Sequence, residues 1–464
     1  MPEDKEPKKI VKRKKSPEYW GRRVAFETLN RVIQGGGFSN ILLASNLNRE
    51  RLTENDKRSA TNLVYGVLRN LTLIDEVFRA KTARGALDMS PALLNIGRMA
   101  IYEIMFMVNV PQYASVSEYV TMARREAGAA EAGFLNACLR KTRRNDWNNL
   151  ITGITDPVER TAKLYSHPVW MARALSDAYS IEKTKQILRA NNNPQPSYFR
   201  VNVKRMSVDD FMAASEYNHR GFEKTESPRA CVMFQHGRGG FPAREYESGW
   251  LTPQDRSTQF IPYYLALEKG DRVLDLCCGS GIKTAQIVEI APEGVEVTAV
   301  DRFSHKLASL ENELDRLGLP RIATVEADIT DSPDLGEFNK ILLDAPCSNS
   351  GTVRRRPEIK YRLREADISE LTAVQDKLLD AASAYTLPGG LLVYSTCSIL
   401  PIENDCRIEG FLYRHPEFES ATSEIESSLR FVSPRSHSDK YGATFYPNTT
   451  NGCGTYVCAL RKKR

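Results

Sequence analysis

The 464-residue chain contains no apolar run approaching the ~18 residues that a membrane-spanning helix needs, so no membrane segment is expected. No apolar stretch follows its basic N-terminus, which argues against a secretory signal and for a cytoplasmic protein. Paired C-x-x-C units are absent, and His167, His219, His236, His305, His415 and His437 are scattered, so no metal is expected. The nine cysteines are an odd number in a long intracellular chain, which points to free thiols rather than a disulfide framework. No internal repeat is evident. The remaining composition is that of an ordinary globular protein, 41% hydrophobic and 26% charged. About two to four domains are expected, because single cores rarely grow past ~250–300 residues.

The net charge of +6 is a mild bias toward polyanions, and its distribution says more. Lys8, Lys9, Lys12, Arg13, Lys14 and Lys15 crowd the N-terminus, and Arg461 to Arg464 form a basic C-terminal run. Both suit a solvated face or disordered tail as well as a binding role. Arg354, Arg355 and Arg356, with Lys360 just beyond, follow Cys347 closely and are candidates for substrate phosphate contacts.

Residues 1–18 read as a disordered basic tail with little to bury. Residues 19–145 are helical throughout. One stripe runs through Val24, Leu29, Val32 and Ile33, another through Ala60, Leu63, Val64, Val67 and Leu68, and Ser115 or Ser117 is placed to cap a later helix. Residues 146–250 are linker helices and a small α+β subdomain. They hold the turn signal Asn191 to Pro196, the strand-like Tyr198–Val203, a short helix from Val208 to Tyr217 and the glycine-rich Gly237–Gly240 loop. From 251 to 464 apolar strands alternate with helices, as in a doubly wound, Rossmann-like α/β sheet.

The strand Arg272–Leu276 carries Asp275 and runs into Cys277, Cys278, Gly279, Ser280, Gly281, Ile282 and Lys283, a glycine-bearing turn that opens a helix over Ile282–Ile290. Glycines let backbone approach a ligand closely. Asp301 ends the next strand, where an acid holds ribose hydroxyls, and Asp328 ends the third, where an acid accepts the exocyclic amine of adenine. Arg302, Lys306, Asp344 and Pro346 complete the candidate cofactor set. A nicotinamide dinucleotide competes for such a loop, but the third glycine of its fingerprint is missing. Asp275 suits the cationic S-adenosylmethionine better than a pyrophosphate, so that ligand is favoured.

Two cysteine motifs each follow an apolar strand. Asp344-Ala345-Pro346-Cys347 comes after Lys340–Leu343, and Ser395-Thr396-Cys397-Ser398 after Gly390–Tyr394. Parallel strands place their ligands at their carboxyl ends, so both thiols are expected in one crevice. Methylating C5 of cytosine needs a thiolate that adds at C6, an acid at the ring N3 and a second group for release. Cys397, Asp344 and Cys347 can fill those roles, with Asp344 protonated or sharing a proton, and with Lys283 lowering the Cys397 pKa. Cys138, Cys231, Cys406, Cys453 and Cys458 read as inert buried thiols, and Cys277 and Cys278 as loop packing.

These motifs resemble the RNA cytosine-5 methyltransferase family. The resemblance rests on Asp344–Ser348, on Arg355–Lys360, on Tyr394–Asn404 and on Gln254-Asp255-Arg256-Ser257-Thr258-Gln259. It implies Cys397 as nucleophile and Cys347 in release. Asn55–Arg58 leading into Leu63–Arg69, with Gly133–Arg140, is similar to the RNA-binding NusB domain. That pair of domains resembles the RsmB/Sun-type enzymes, which methylate 16S ribosomal RNA. The resemblance implies S-adenosylmethionine as cofactor, 16S ribosomal RNA as partner and a monomer. The alternatives are a non-catalytic RNA-binding or ribosome-assembly protein, and a methyltransferase of another RNA such as tRNA. A DNA enzyme is disfavoured, since those use the Pro-Cys thiol as nucleophile.

Overall fold

A computed structural model describes residues 17–48, 52–82, 85, 87–215, 221–234, 241–429 and 437–464. The basic N-terminal tail as far as residue 16, the Gly237–Gly240 loop, His219 and His236 lie outside them; Pro17 opens the first helix. The chain forms two compact units, one reaching residue 156 and including 163–166, the other comprising 157–162 and 167–464.

The first unit is helical. Its segment Glu54–Arg69 starts at a reciprocal cap between Thr53 and Asp56, and Pro91–Phe106 starts at Ser90 with proline in the first turn. Leu63, Val64, Val67, Leu68, Ile96, Met99 and Ile101 are buried in its core. Arg22 donates to both oxygens of the buried Glu103, at 3.2 and 2.8 Å. Ser115 does not cap a helix: the helix Gln112–Glu126 begins earlier, and the Ser115 hydroxyl donates to Glu103 at 2.6 Å.

The second unit holds two sheets. The smaller is antiparallel and comprises β1 (Ser197–Val201), β2 (Phe222–Lys224), β3 (Cys231–Phe234) and β4 (Leu251–Pro253) in the order β2-β3-β1-β4. Phe199, Phe211, Phe222 and Phe234 pack over it. The larger sheet contains β5 (Arg272–Leu276), β6 (Glu296–Asp301), β7 (Ala323–Glu326), β8 (Phe338–Asp344), β9 (Thr386–Thr396), β10 (Phe418–Ser420), β11 (His437–Ser438), β12 (Ala443–Phe445) and β13 (Thr455–Lys462). Its order is β11-β12-β13-β9-β8-β5-β6-β7, with β10 on β13. Strands β5 to β9 are mutually parallel, and β13 runs antiparallel to β9. The apolar runs of β5, β8 and β9 are buried on both faces, as crossover helices require, while the edge strand β7 is only partly buried.

The expected fold is observed: an all-α N-terminal unit, a small sheet and a Rossmann-like sheet. The C-terminal basic run is neither a tail nor a loose face. Arg461 and Lys462 belong to β13, where Arg461 pairs with Glu424 and Lys462 Nζ donates to the carbonyls of Ser383 and Thr386.

Candidate active site

Strand order reverses at β5, with β6 and β7 on one side and β8 and β9 on the other. The crevice beyond the carboxyl ends of the strands at such a switch point is where open α/β sheets bind ligands. The loop after β5, Asp301 of β6, Asp344 of β8 and the segment after β9 all open there.

The turn after β5 is shaped by Gly281, whose φ of +80° lies in the left-handed region; an added Cβ would meet the Leu310 side chain at 2.3 Å. Below it Asp275 is buried. Its Oδ2 accepts from Thr284 Oγ1 at 2.6 Å, while Oδ1 has no donor among the described residues. Burial pushes this carboxyl up to about 7. A buried acceptor lacking a donor fits the positive charge of a sulfonium cofactor. Asp301 is buried and accepts from Gly279 N at 2.9 Å and Phe303 N at 3.1 Å, and its Oδ2 lies 3.3 Å from Lys306 Nζ. Asp328 is half-buried, with Oδ1 tied to the Thr330 amide and hydroxyl. Arg302 is exposed and lies over the Phe303 ring, 4.6 Å from its centroid. Ser280 and Pro346 are exposed, and Cys277, Cys278, Gly279 and Ile282 are half-buried.

The two cysteine loops come together. Asp344 and Ser395 are register partners across β8 and β9, and the Cys397 amide donates to Cys347 Sγ at 3.3 Å. Lys283 Nζ lies 2.5 Å from Asp344 Oδ2, and Ser395 Oγ donates to Asp344 Oδ1 at 2.7 Å. Asp344 therefore accepts two hydrogen bonds, one of them from the Lys283 ammonium. Burial alone would lower the Lys283 pKa, but the charges of Asp344 and Cys397 and the hydrogen bond to Asp344 together outweigh it and hold it high. The expected lowering of the Cys397 thiol is also corrected. Desolvation raises it, and Lys283 offsets only part of that. Cys347 is pushed well above the ordinary thiol range by burial, then by Cys397 and Glu403.

The loop from Cys347 is seated on the C-terminal segment. Gly454 N donates to Gly351 O at 2.7 Å, and a Cβ on Gly351 would sit 2.1 Å from Gly454 O. Asp255 braces the same segment, accepting from Ser257 N and Cys453 N.

The basic residues divide. Arg354 is buried and donates to the carbonyls of Asn193, Pro194, Pro447 and Gly452. Lys360 is buried too, with Nζ donating to Asn192 Oδ1. The expectation that these two meet RNA phosphates is corrected: their charges are consumed by the loop before β1 and, for Arg354, also by the Pro447–Gly452 segment. Arg355 is exposed and Arg356 half-buried. Cys406, expected inside, is exposed. Sequence reasoning assigned no role to Ser395, Gln375 or Glu403. The signal for Glu403 was its place inside the Tyr394–Asn404 motif.

Three family descriptions match the chain: 16S rRNA methyltransferase RsmB/F over 262–461, the NusB family over 21–144, and an RsmF/B-like ferredoxin-like domain over 167–236. A Shigella sonnei protein named ribosomal RNA small subunit methyltransferase B is 34% identical over 408 residues, 86% of this chain and 91% of that protein. The Bacillus subtilis (strain 168) relative, named probable ribosomal RNA small subunit methyltransferase B, is 29% identical over 449 residues, 95% of this chain and 98% of its own. The solved structure of PH0851 has the same fold, with a TM-score of 0.76 and 21% identity, covering 97% of this chain and 99% of that one.

Proposed function

Since the chain belongs to the RsmB/F family of 16S rRNA methyltransferases, we propose that it methylates C5 of a cytosine in 16S ribosomal RNA through a covalent adduct on Cys397. The observation that carries this reading is the meeting of two thiols and a Lys283–Asp344 pair at the switch point. The cofactor would be S-adenosylmethionine, held by Asp301 at the ribose, Asp275 near the positive charge and Asp328 toward the base. It supplies an electrophilic methyl group.

The protein's residues do the rest. The Cys397 thiolate forms a bond to C6, and electrons move from the C5–C6 double bond onto the ring. Asp344 aligns N3, and Lys283 is the source of the proton that N3 takes up. The now electron-rich C5 accepts the methyl group. A base then takes the C5 proton, the C5–H pair re-forms the C5–C6 double bond, the Sγ–C6 pair leaves on Cys397 as thiolate, and N3 returns its proton to Lys283, with Cys347 serving this release. The target base must leave its stack to reach the crevice. Arg355, which is exposed, would hold a flanking phosphate. The reading is of a monomeric cytoplasmic enzyme.

Incubation of the protein with labelled cofactor and 16S ribosomal RNA is expected to place label on one cytosine, mapped by bisulfite sequencing. RNA binding without any label would favour the assembly-protein alternative instead. Asp301→Ala is expected to weaken cofactor binding by ~1–3 kcal/mol, the cost of stranding hydrogen-bonding groups. Titration calorimetry showing unchanged affinity would remove Asp301 from the site.

A further inference from the structure

The buried carboxylate of Glu403 lies beneath both cysteine loops and is not a part of the reaction described above. It is fully buried. Its Oε1 accepts from Ser348 N at 2.8 Å and from Gln375 Nε2 at 3.1 Å. Its Oε2 accepts from the hydroxyls of Ser348 and Ser398, each at 2.5 Å. Ser348 directly follows Cys347, and Ser398 directly follows Cys397. One carboxylate thus grips the residue after each thiol.

The same short turn fixes the surrounding backbone. Asn404 Oδ1 accepts from Thr396 Oγ1 at 2.7 Å, and its Nδ2 donates to Ser398 O at 3.1 Å. Tyr394 OH donates to Glu403 O at 2.8 Å, and Gln375, which bonds Glu403, also donates to Pro346 O at 3.0 Å. The loops lie some fifty residues apart in sequence, so local turn chemistry cannot set one against the other. Charge-assisted hydrogen bonds in a dry site are strong and directional.

We propose that Glu403 is a positioning residue that sets the spacing of Cys397 and Cys347 by binding Ser348 and Ser398 together. The same carboxylate opposes ionisation of Cys347. This rests on the two-thiol reading of the site. The charged and titratable groups facing Cys347 are Cys397, Glu403, Asp344 and Tyr394, on three different segments. Of the two thiols, Cys397 is the one whose neighbours include the Lys283 ammonium.

The test compares Glu403→Gln and Glu403→Ala with the unmutated enzyme. Displacement of the thiols by ~1 Å is expected to lower kcat about a hundredfold in Glu403→Ala. The KM for cofactor and for RNA is expected to stay within about twofold, since Glu403 touches neither. Glu403→Gln, which keeps the shape and one acceptor, is expected to recover part of kcat and to melt near the unmutated temperature. The second readout is Cys347 alkylation against pH in a Cys397→Ala background. Adding Glu403→Gln is expected to lower its midpoint by about one pH unit, because a neighbouring negative charge is gone. A structural role alone would not move that midpoint. An unmoved midpoint, or full kcat in both variants, overturns the proposal; should Glu403→Ala fail to fold, Glu403→Gln carries both readouts. An unmutated protein without activity or adduct would instead overturn the two-thiol reading itself.

Discussion

Cys397→Ser is expected to abolish methyl transfer, by roughly a thousandfold or more given what loss of a covalent nucleophile costs. No covalent RNA adduct should form, while cofactor and RNA still bind. Cys347→Ser is expected to behave differently. Attack and transfer proceed, release is slowed, and a protein–RNA adduct accumulates that survives a denaturing gel. The geometry explains the asymmetry. Both thiols are buried and both are raised by desolvation, but their charged neighbours differ. Cys397 faces the Lys283 ammonium, which favours the thiolate. Cys347 faces Glu403, which opposes it, while Asp344 opposes both thiolates. The nucleophile should therefore be the thiol beside the cation. An adduct from Cys397→Ser and none from Cys347→Ser would reverse the roles.

The second large effect is on stability. Glu289→Ala is expected to cost ~3–5 kcal/mol, because it leaves a buried guanidinium without its partner. Arg200 of β1 is 1% exposed and forks onto Glu289, with Nε–Oε2 at 2.7 Å and Nη2–Oε1 at 2.8 Å. It also donates to the Ile282 carbonyl at 3.2 Å and to Gln254. The pair joins the small sheet to the helix Ile282–Ile290, directly behind the cofactor loop. Replacing both partners by apolar residues, as in Arg200→Met with Glu289→Leu, should cost far less, since neither then strands a buried charge. Urea melts of the single and double variants separate these outcomes. A single variant within about 1 kcal/mol of the parent would show that the pair is dispensable. The double variant, which lacks Arg200, also loses the contact to the Ile282 carbonyl, so the turn around Gly281 should loosen and cofactor affinity should fall there.

Much of the site was legible because its signals are local. The strand Arg272–Leu276 and helix Ile282–Ile290 are observed with the bounds read from sequence, since apolar period and turn glycines act over a few residues. The meeting of Cys347 and Cys397 followed from one topological rule, that parallel strands end on the same edge. The fate of individual charges was not legible. Arg354 and Lys360 look like phosphate ligands as letters, yet both turn inward to groups 160 or more residues away. The C-terminal basic run reads as a tail, yet Arg461 and Lys462 complete a strand on β9. Glu403 reads as one more acid in a motif, yet it binds Ser348, 55 residues earlier.

The chain's sequence by itself determined the order of its elements, the cofactor turn and the residue types that the chemistry requires. Tertiary structure alone decided which charges face solvent and which carboxylate grips both cysteine loops. The physical reason is one of range. Helix and strand period, caps and turns depend on neighbours along the chain. Desolvation and the pairing of buried polar groups depend on partners that only the closed sheet brings within hydrogen-bonding distance.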